Sequence, residues 1–203
     1  MAKKIIVLLA EGFEEVEALT PVDYLRRAGV EVTTAAVGLK SRSAGLAVKG
    51  AHGITVLADA GLEDLLQKKK LAPAGWDGVV LPGGQPGSDN LAASKEAGAF
   101  IKAMAAEGKW ICAICAAPAR VLSPLGILAG KKFTCFPGEE EKVIAPGTGS
   151  PGAKWKKDRV VLDGNIITSR GAGTAGEFAC AIIENLVSAA EAKKLAERVL
   201  LKP

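Results

Sequence analysis

Uninterrupted apolar runs alternate with amphipathic ones along this chain, and no other feature limits its fold as tightly. Lys4–Ala10 reads as a strand that is apolar on both faces. Glu15–Ala28 sets Val16, Leu19, Val22 and Leu25 at helical spacing and stops at Gly29. Val30–Val37 is a Val- and Thr-rich strand, Leu46–Leu57 an irregular hairpin and Leu62–Lys69 a helix. Trp76–Pro82 is a strand that runs into the glycine-rich loop Gly83–Ser88. A helix over Glu96–Glu107 precedes the strand Trp110–Ile114, and a helix directly follows that strand. Pro137–Lys157, rich in Pro, Gly and charge, is a surface excursion. Arg159–Leu162 and Asn165–Thr168 are strands joined by the Asp163-Gly164 turn, followed by helices over Thr174–Ser188 and Ala190–Leu201. Fully apolar strands separated by amphipathic helices predict an α/β sandwich, a mostly parallel sheet with helices on both faces.

The 203 residues suit one domain spanning the whole chain, and no internal repeat, low-complexity tract or linker interrupts them. Twenty-six basic against 22 acidic residues leave a formal charge of +4, too mild to imply a nucleic-acid partner. The four cysteines, Cys112, Cys115, Cys135 and Cys180, stand in apolar contexts and not at disulfide-scaffold spacings. Reduced thiols and a cytoplasmic setting are expected. The apolar stretch Ile5–Ala10 is too short for a signal peptide, and no run approaches a membrane span.

In sheets of this kind the ligand site lies outside the carboxyl ends of the strands. Four odd segments sit there: Glu11–Glu14, Gly83–Ser88, Cys115–Pro118 and Gly171–Gly176. Cys115 is the most telling. It ends a buried strand where the next helix would aim its free N–H groups and positive dipole end, and both favour a thiolate. The thiolate is the nucleophile, so Cys115 is the first candidate for chemistry. A buried structural cysteine is the competing explanation.

Other motifs carry less. Gly171–Gly176 (GAGTAG) fits the dinucleotide-binding spacing but lacks the second strand and acidic residue that the fingerprint requires. Cys112 and Cys115 form C-x-x-C, but the second cysteine begins the helix and the first lies inside the strand, unlike a thioredoxin pair. No second ligand pair supports zinc, so no metal is expected. Lys154–Lys157 (KWKK) reads as a solvated loop anchored by an aromatic, and Lys68–Lys70 as an exposed helix end.

The sole histidine, His52, falls in an irregular segment and reads as a surface or interface residue, which disfavours a Cys–His triad. Carboxylates are the alternative partners of Cys115. Glu14 and Glu15 suit the helix dipole without any function. Glu17, one turn ahead of Pro21, is placed to point back toward the strand ends. Buried beside a thiolate it would have a raised pKa, could donate a hydrogen bond to the sulfur and could move protons. Backbone N–H groups of Gly84 and Ala116 could form an oxyanion hole, against the plain reading of a Gly-rich turn.

Taken together, EGFEEVEALTPVD (Glu11–Asp23), RRAG (Arg26–Gly29), VLPGG (Val80–Gly84), AICAAP (Ala113–Pro118) and TSRGAGT (Thr168–Thr174) resemble the ThiJ/PfpI superfamily, in its DJ-one branch with YajL-like proteins. The resemblance covers nearly the whole chain. It implies a flavodoxin-like sandwich, usually a homodimer, with Cys115 as the reactive, oxidisable cysteine and Glu17 as its carboxyl partner. It implies Gly84 and Ala116 as backbone donors, with Gly83, Gly171, Ala172 and either Arg26 or Arg27 near the site or the dimer interface. It also implies a cofactor-free activity on small aldehydes: a glutathione-independent glyoxalase or a remover of early glycation adducts. A redox-sensing, chaperone-like stress protein is the alternative. Two departures matter. Phe136 stands where many DJ-one members carry a histidine, which leaves Glu17 nearly alone as proton carrier. Ala116 replaces the histidine of the protease branch, so protease activity is not implied.

Overall fold

The structure is a computed structural model that describes residues 2–38, 46–67 and 71–201. Its centre is a seven-stranded sheet built from β1 (Lys4–Ala10), β2 (Glu31–Val37), β5 (Ala60–Gly61), β6 (Gly78–Leu81), β7 (Trp110–Ile114), β10 (Val160–Asp163) and β11 (Ile166–Ser169). The strand order is β10-β11-β7-β6-β1-β2-β5. Every neighbouring pair is parallel except β10–β11, whose antiparallel turn runs through Gly164 at φ 63°. β3 (Ala47–Lys49) and β4 (Thr55–Leu57) form a separate antiparallel hairpin, and β8 (Lys132–Phe133) pairs in parallel with β9 (Lys154–Trp155).

The apolar run of β1 is a strand buried on both faces, as expected. Ile5, Val7 and Leu9 enter one core with Val22 and Leu25 of α1 (Glu15–Arg27) and Phe178, Ile182 and Ile183 of α6 (Ala175–Leu186). Ile6, Leu8 and Ala10 enter the other, with Leu62 of α2 (Leu62–Gln67) and Phe100, Ile101 and Met104 of α4 (Lys95–Ala106). The period of two along one strand thus feeds two helical layers, giving a flavodoxin-like three-layer α/β sandwich. α7 (Ala189–Arg198) adds Ala192 and Leu195 to the first core. Ser94 and Ser188 cap α4 and α7 by accepting N–H groups of Ala97 and Glu191.

Three segments differ from the sequence expectation. The helix after Cys115 opens where expected, with the Arg120 N–H on the Ala116 carbonyl at 2.9 Å, but it is short. It is a five-residue π-helical turn, Pro118–Leu122, closed by the Ser123 N–H on the Pro118 carbonyl at 3.0 Å. Pro118 sits in the first turn, where a missing N–H is tolerated, and the chain beyond Ser123 continues as turns through Gly126, which has φ 77°. The loop after β6 is shorter than read, because α3 (Gly87–Ala93) begins within it. Gly87 lies against Gly12 and donates its N–H to the Gly12 carbonyl at 3.0 Å. A glycine that serves close backbone contact looks, in sequence, like loop composition. The excursion 137–157 is partly ordered by α5 (Glu141–Ile144) and β9. The helix end at Lys68–Lys70 lies outside the described residues.

Between β1 and β6 the chain's progress across the sheet reverses, since β2 and β5 lie to one side and β6, β7 and β11 to the other. That switch point opens a crevice at the carboxyl ends of β1, β6 and β7.

Candidate active site

Cys115 follows the last residue of β7 and has φ 63°, a left-handed conformation uncommon for a residue with a side chain. Its backbone is held from both sides. The Cys115 N–H donates to the Ser169 carbonyl at 2.9 Å, and the Cys115 carbonyl accepts the Phe136 N–H at 2.8 Å. Such fixed local strain is typical of functional sites. It turns the thiol out of the strand and toward α1.

Glu17 meets it there. The side chain is 1% exposed, in the first turn of α1. Pro21 lacks the N–H that would bond the Glu17 carbonyl in an unbroken helix, so the helix is loosened at that turn. The Glu17 carboxylate accepts the Gly83 N–H at 2.9 Å, and the Cys115 thiol and the Ala172 N–H lie near enough to favour its charged form. Gly83 is squeezed between the pair: a Cβ there would sit 2.6 Å from both the Cys115 Cβ and Glu17 Oε2. Gly84, at φ 93°, packs its Cα on the Glu14 nitrogen and the Gly12 carbonyl. The N–H groups of Gly84 and Ala116 lie on the side of the Cys115 sulfur, where they favour its charged form. Gly171 lies beside Glu17 Oε1 and the Phe136 ring.

Burial lifts the Glu17 carboxyl to about 7 and the Glu14 charge adds to this, while Cys115, Gly83 and Ala172 oppose it. The Cys115 thiol is raised as well, first by burial and then by the Glu17 charge beside it. The Ala116 and Gly84 N–H groups pull the other way. The N–H that follows Cys115, on Ala116, favours a thiolate, as expected, but burial and the carboxylate work against it. Only a short π-helical turn follows Cys115, and a carboxylate lies against the sulfur. The two groups titrate as a pair. The carboxylate that holds the thiol neutral is also the base in position to take its proton.

Two other residues lie elsewhere. Arg27 is not at this site. It bonds Asp23 at 2.6 Å on an exposed stretch of α1, ten residues and about 15 Å along the helix from Glu17. His52 does not face the thiol. Its Nδ1 lies 3.0 Å from Glu15 Oε2, and its N–H donates to Glu15 Oε1 at 2.9 Å. Glu14, Glu15 and His52 bring three potential ligand atoms within 4.8 Å of one another, but the buried Glu15 carboxylate is already bonded by His52 and the Ile54 N–H.

Two features went unread in the sequence. A cleft of about 410 Å³, lined by Phe136, Pro137, Arg159, Arg170 and the Gly171–Thr174 turn, adjoins the pair. Arg120 is clamped between two acids: Nη1 bonds both Asp89 oxygens (2.8 and 3.0 Å), and Nε and Nη2 bond Glu139 (both 2.9 Å). Its partners lie 31 and 19 residues away, beyond the reach of any local pattern.

A cysteine in a strained backbone conformation at the end of a central strand, beside a buried carboxyl group, defines a class of cysteine-centred α/β proteins. Residues 3–185 match the model of the DJ-1/PfpI family, and the chain belongs to that family. It is 38% identical to the Parkinson disease protein 7 homolog of Danio rerio over 98% of each chain. It is 35% identical to a Caenorhabditis elegans protein named glutathione-independent glyoxalase DJR-1.2, over 90% of this chain and 87% of that one. The crystal structure of Drosophila melanogaster DJ-1beta superposes with a TM-score of 0.86 at 36% identity, covering 100% of both chains. The chain spans under half the length of the two Arabidopsis thaliana DJ-1 homologs it matches, 42% and 47%.

Proposed function

We propose that the protein is a cysteine-dependent, glutathione-independent glyoxalase or deglycase-type enzyme acting on reactive dicarbonyls such as methylglyoxal and glyoxal, or on their early adducts. The observation that carries this is the Cys115–Glu17 pair with the Gly84 and Ala116 N–H groups at the sulfur. The glyoxalase named among its relatives supports it. Cys115 Sγ attacks the aldehyde carbon while its proton passes to Glu17, giving a hemithioacetal. The N–H groups of Gly84 and Ala116 hold the developing oxyanion. Glu17 returns the thiol's proton to that oxygen and then carries a proton from the former aldehyde carbon to its neighbour, while the hydroxyl proton passes to the neighbouring carbonyl oxygen, converting the adduct to a thioester. Water hydrolyses the thioester to lactate, or to glycolate from glyoxal, and frees the thiol. The chain's own residues supply every group in this sequence.

The test is incubation with methylglyoxal in the absence of glutathione, following D- and L-lactate. Turnover by the intact protein that is lost in both Cys115→Ala and Glu17→Gln is the expected result. Full turnover by either variant would overturn the mechanism.

A second reading rests on the same donors. A sulfinate on Cys115 would find the Gly84 and Ala116 N–H groups and a protonated Glu17 around it, as a redox sensor requires. Peroxide titration followed by mass spectrometry separates the two readings, since a sensor must oxidise Cys115 well before Cys180. We further propose a homodimer formed through the face where half-exposed Val16 and Ile54 flank the Glu15–His52 link.

A further inference from the structure

We propose that the cleft between Phe136 and the Arg170–Thr174 turn is a carboxylate-binding subsite of the Cys115 centre, with Arg170 receiving an acid group on the substrate. The preferred substrates are then dicarbonyls that bear a carboxylate. This deepens the functional reading above and rests on Cys115 being the nucleophile.

The cleft and the reacting pair share their walls. The Phe136 N–H is bonded to the Cys115 carbonyl, and Ala172, which lines the cleft, turns its N–H to the side of Glu17 and favours its charged form. Gly171 fills the gap between the Phe136 ring and Glu17 Oε1. The cleft wall therefore abuts the pair at Phe136, Gly171 and Ala172, although neither Cys115 nor Glu17 itself lines it.

Two arginines line the cleft, and they are not equivalent. Arg159 is neutralised: Nε and Nη2 bond the two Glu177 oxygens, each at 3.0 Å, and Nη2 also bonds the Gly173 carbonyl at 2.7 Å. Arg170 donates Nη1 to the Lys157 carbonyl at 3.0 Å, and among the described residues no carboxylate lies within ion-pair distance of it. Its guanidinium keeps donors in a planar fork, the geometry that matches a carboxylate. The positive field of Arg170 also reaches the cleft wall, where it works against the burial that raises the Cys135 thiol. Phe136, Pro137, Gly171 and Ala172 supply an apolar lining. Such a lining covers one side of a carbon skeleton, while the cleft stays open to solvent, with Phe136 50% exposed.

A matched pair of alkylating reagents reads the subsite without any turnover. Iodoacetate and iodoacetamide differ by one charge, and mass spectrometry gives the rate at Cys115 for each. The iodoacetate-to-iodoacetamide ratio is expected to exceed that of a neutral model thiol, although Glu17 and Glu14 repel the anion. It is expected to fall about tenfold in Arg170→Gln, as the loss of a charge-assisted hydrogen bond predicts. A ratio equal in both proteins overturns the proposal. Should Arg170→Gln not fold, the intact protein decides alone, and a ratio no higher than the model thiol's overturns it. A second arm compares 4-carboxyphenylglyoxal with phenylglyoxal. Their kcat/KM ratio is expected to favour the acid and to fall about tenfold in the variant. Absent turnover of both, with the alkylation ratio still dependent on Arg170, would leave the subsite standing and sink the glyoxalase reading.

Discussion

Glu17 makes a stability prediction as well as a chemical one. Its carboxyl is pushed up to about 7 by burial, above the ordinary 4.5, so the folded protein binds this proton more tightly than the unfolded chain does. Its contribution is fully present below pH 4.5 and is lost as pH rises through about 7. His52, raised first by its hydrogen bond to Glu15, acts with the same sign. Glu15 works in the opposite sense. Burial opposes its ionisation, but hydrogen bonds from its own backbone, His52 and Ile54 prevail and lower it, so its contribution is lost in acid. Stability measured by urea denaturation should therefore fall between pH 5 and pH 8, and Glu17→Gln should remove roughly 3 kcal/mol of that fall. A variant whose slope matches the parent's would place the titrating group elsewhere. Cys115 and Glu17 were legible as candidates by position, one after an apolar strand and the other in the first turn of a helix, and the resemblance of their motifs then paired them. Arg170 was not, since its meaning depends on which acids are near it in space. Nor was the raised Cys115 thiol, which is set by the burial and carboxylate around it.

The elements show how loops fix the pair. The Gly83-Gly84 segment gives one N–H to Glu17 and sets another on the side of the sulfur. Gly83→Ala would drive a Cβ into both partners. Alkylation of Cys115 by iodoacetamide should change at least severalfold in that variant, and an unaltered rate would show that the loop yields without moving the pair. Farther out, Arg120 ties the π-helical turn to α3 through Asp89 and to the segment after Phe136 through Glu139, which Lys142 also grips at 2.8 Å. Arg120→Ala is expected to cost roughly 1–2 kcal/mol, since the arginine is mostly covered and its partners form a network. Thermal unfolding checks this, and a melting temperature within a degree of the parent's would show the clamp to be energetically idle. The long elements were readable from apolar periodicity. The π-helical turn and α3 were not, because a proline and a close-packed glycine stand in their first turns, and both residues usually signal loops.

At the scale of the whole molecule, alternating apolar strands and amphipathic helices specified the parallel sheet, and the switch point between β1 and β6 located the site. What periodicity could not supply was assembly. If the Val16–Ile54 face joins two copies, Val16→Asp should convert a dimer to a monomer in multi-angle light scattering, and an unchanged mass would place the interface elsewhere. β7 has β6 on one side and β11 on the other, and Cys112 sits in it fully buried, three residues before Cys115. Cys112 can be reached only by prying the sheet apart, whereas Cys115 is partly accessible in the native state. Trypsin would release both on one peptide, Trp110–Arg120. Label counted on that single fragment thus keeps two clocks at once, one set by the occupancy of the reactive thiol and the other by the rate at which the entire sheet comes open.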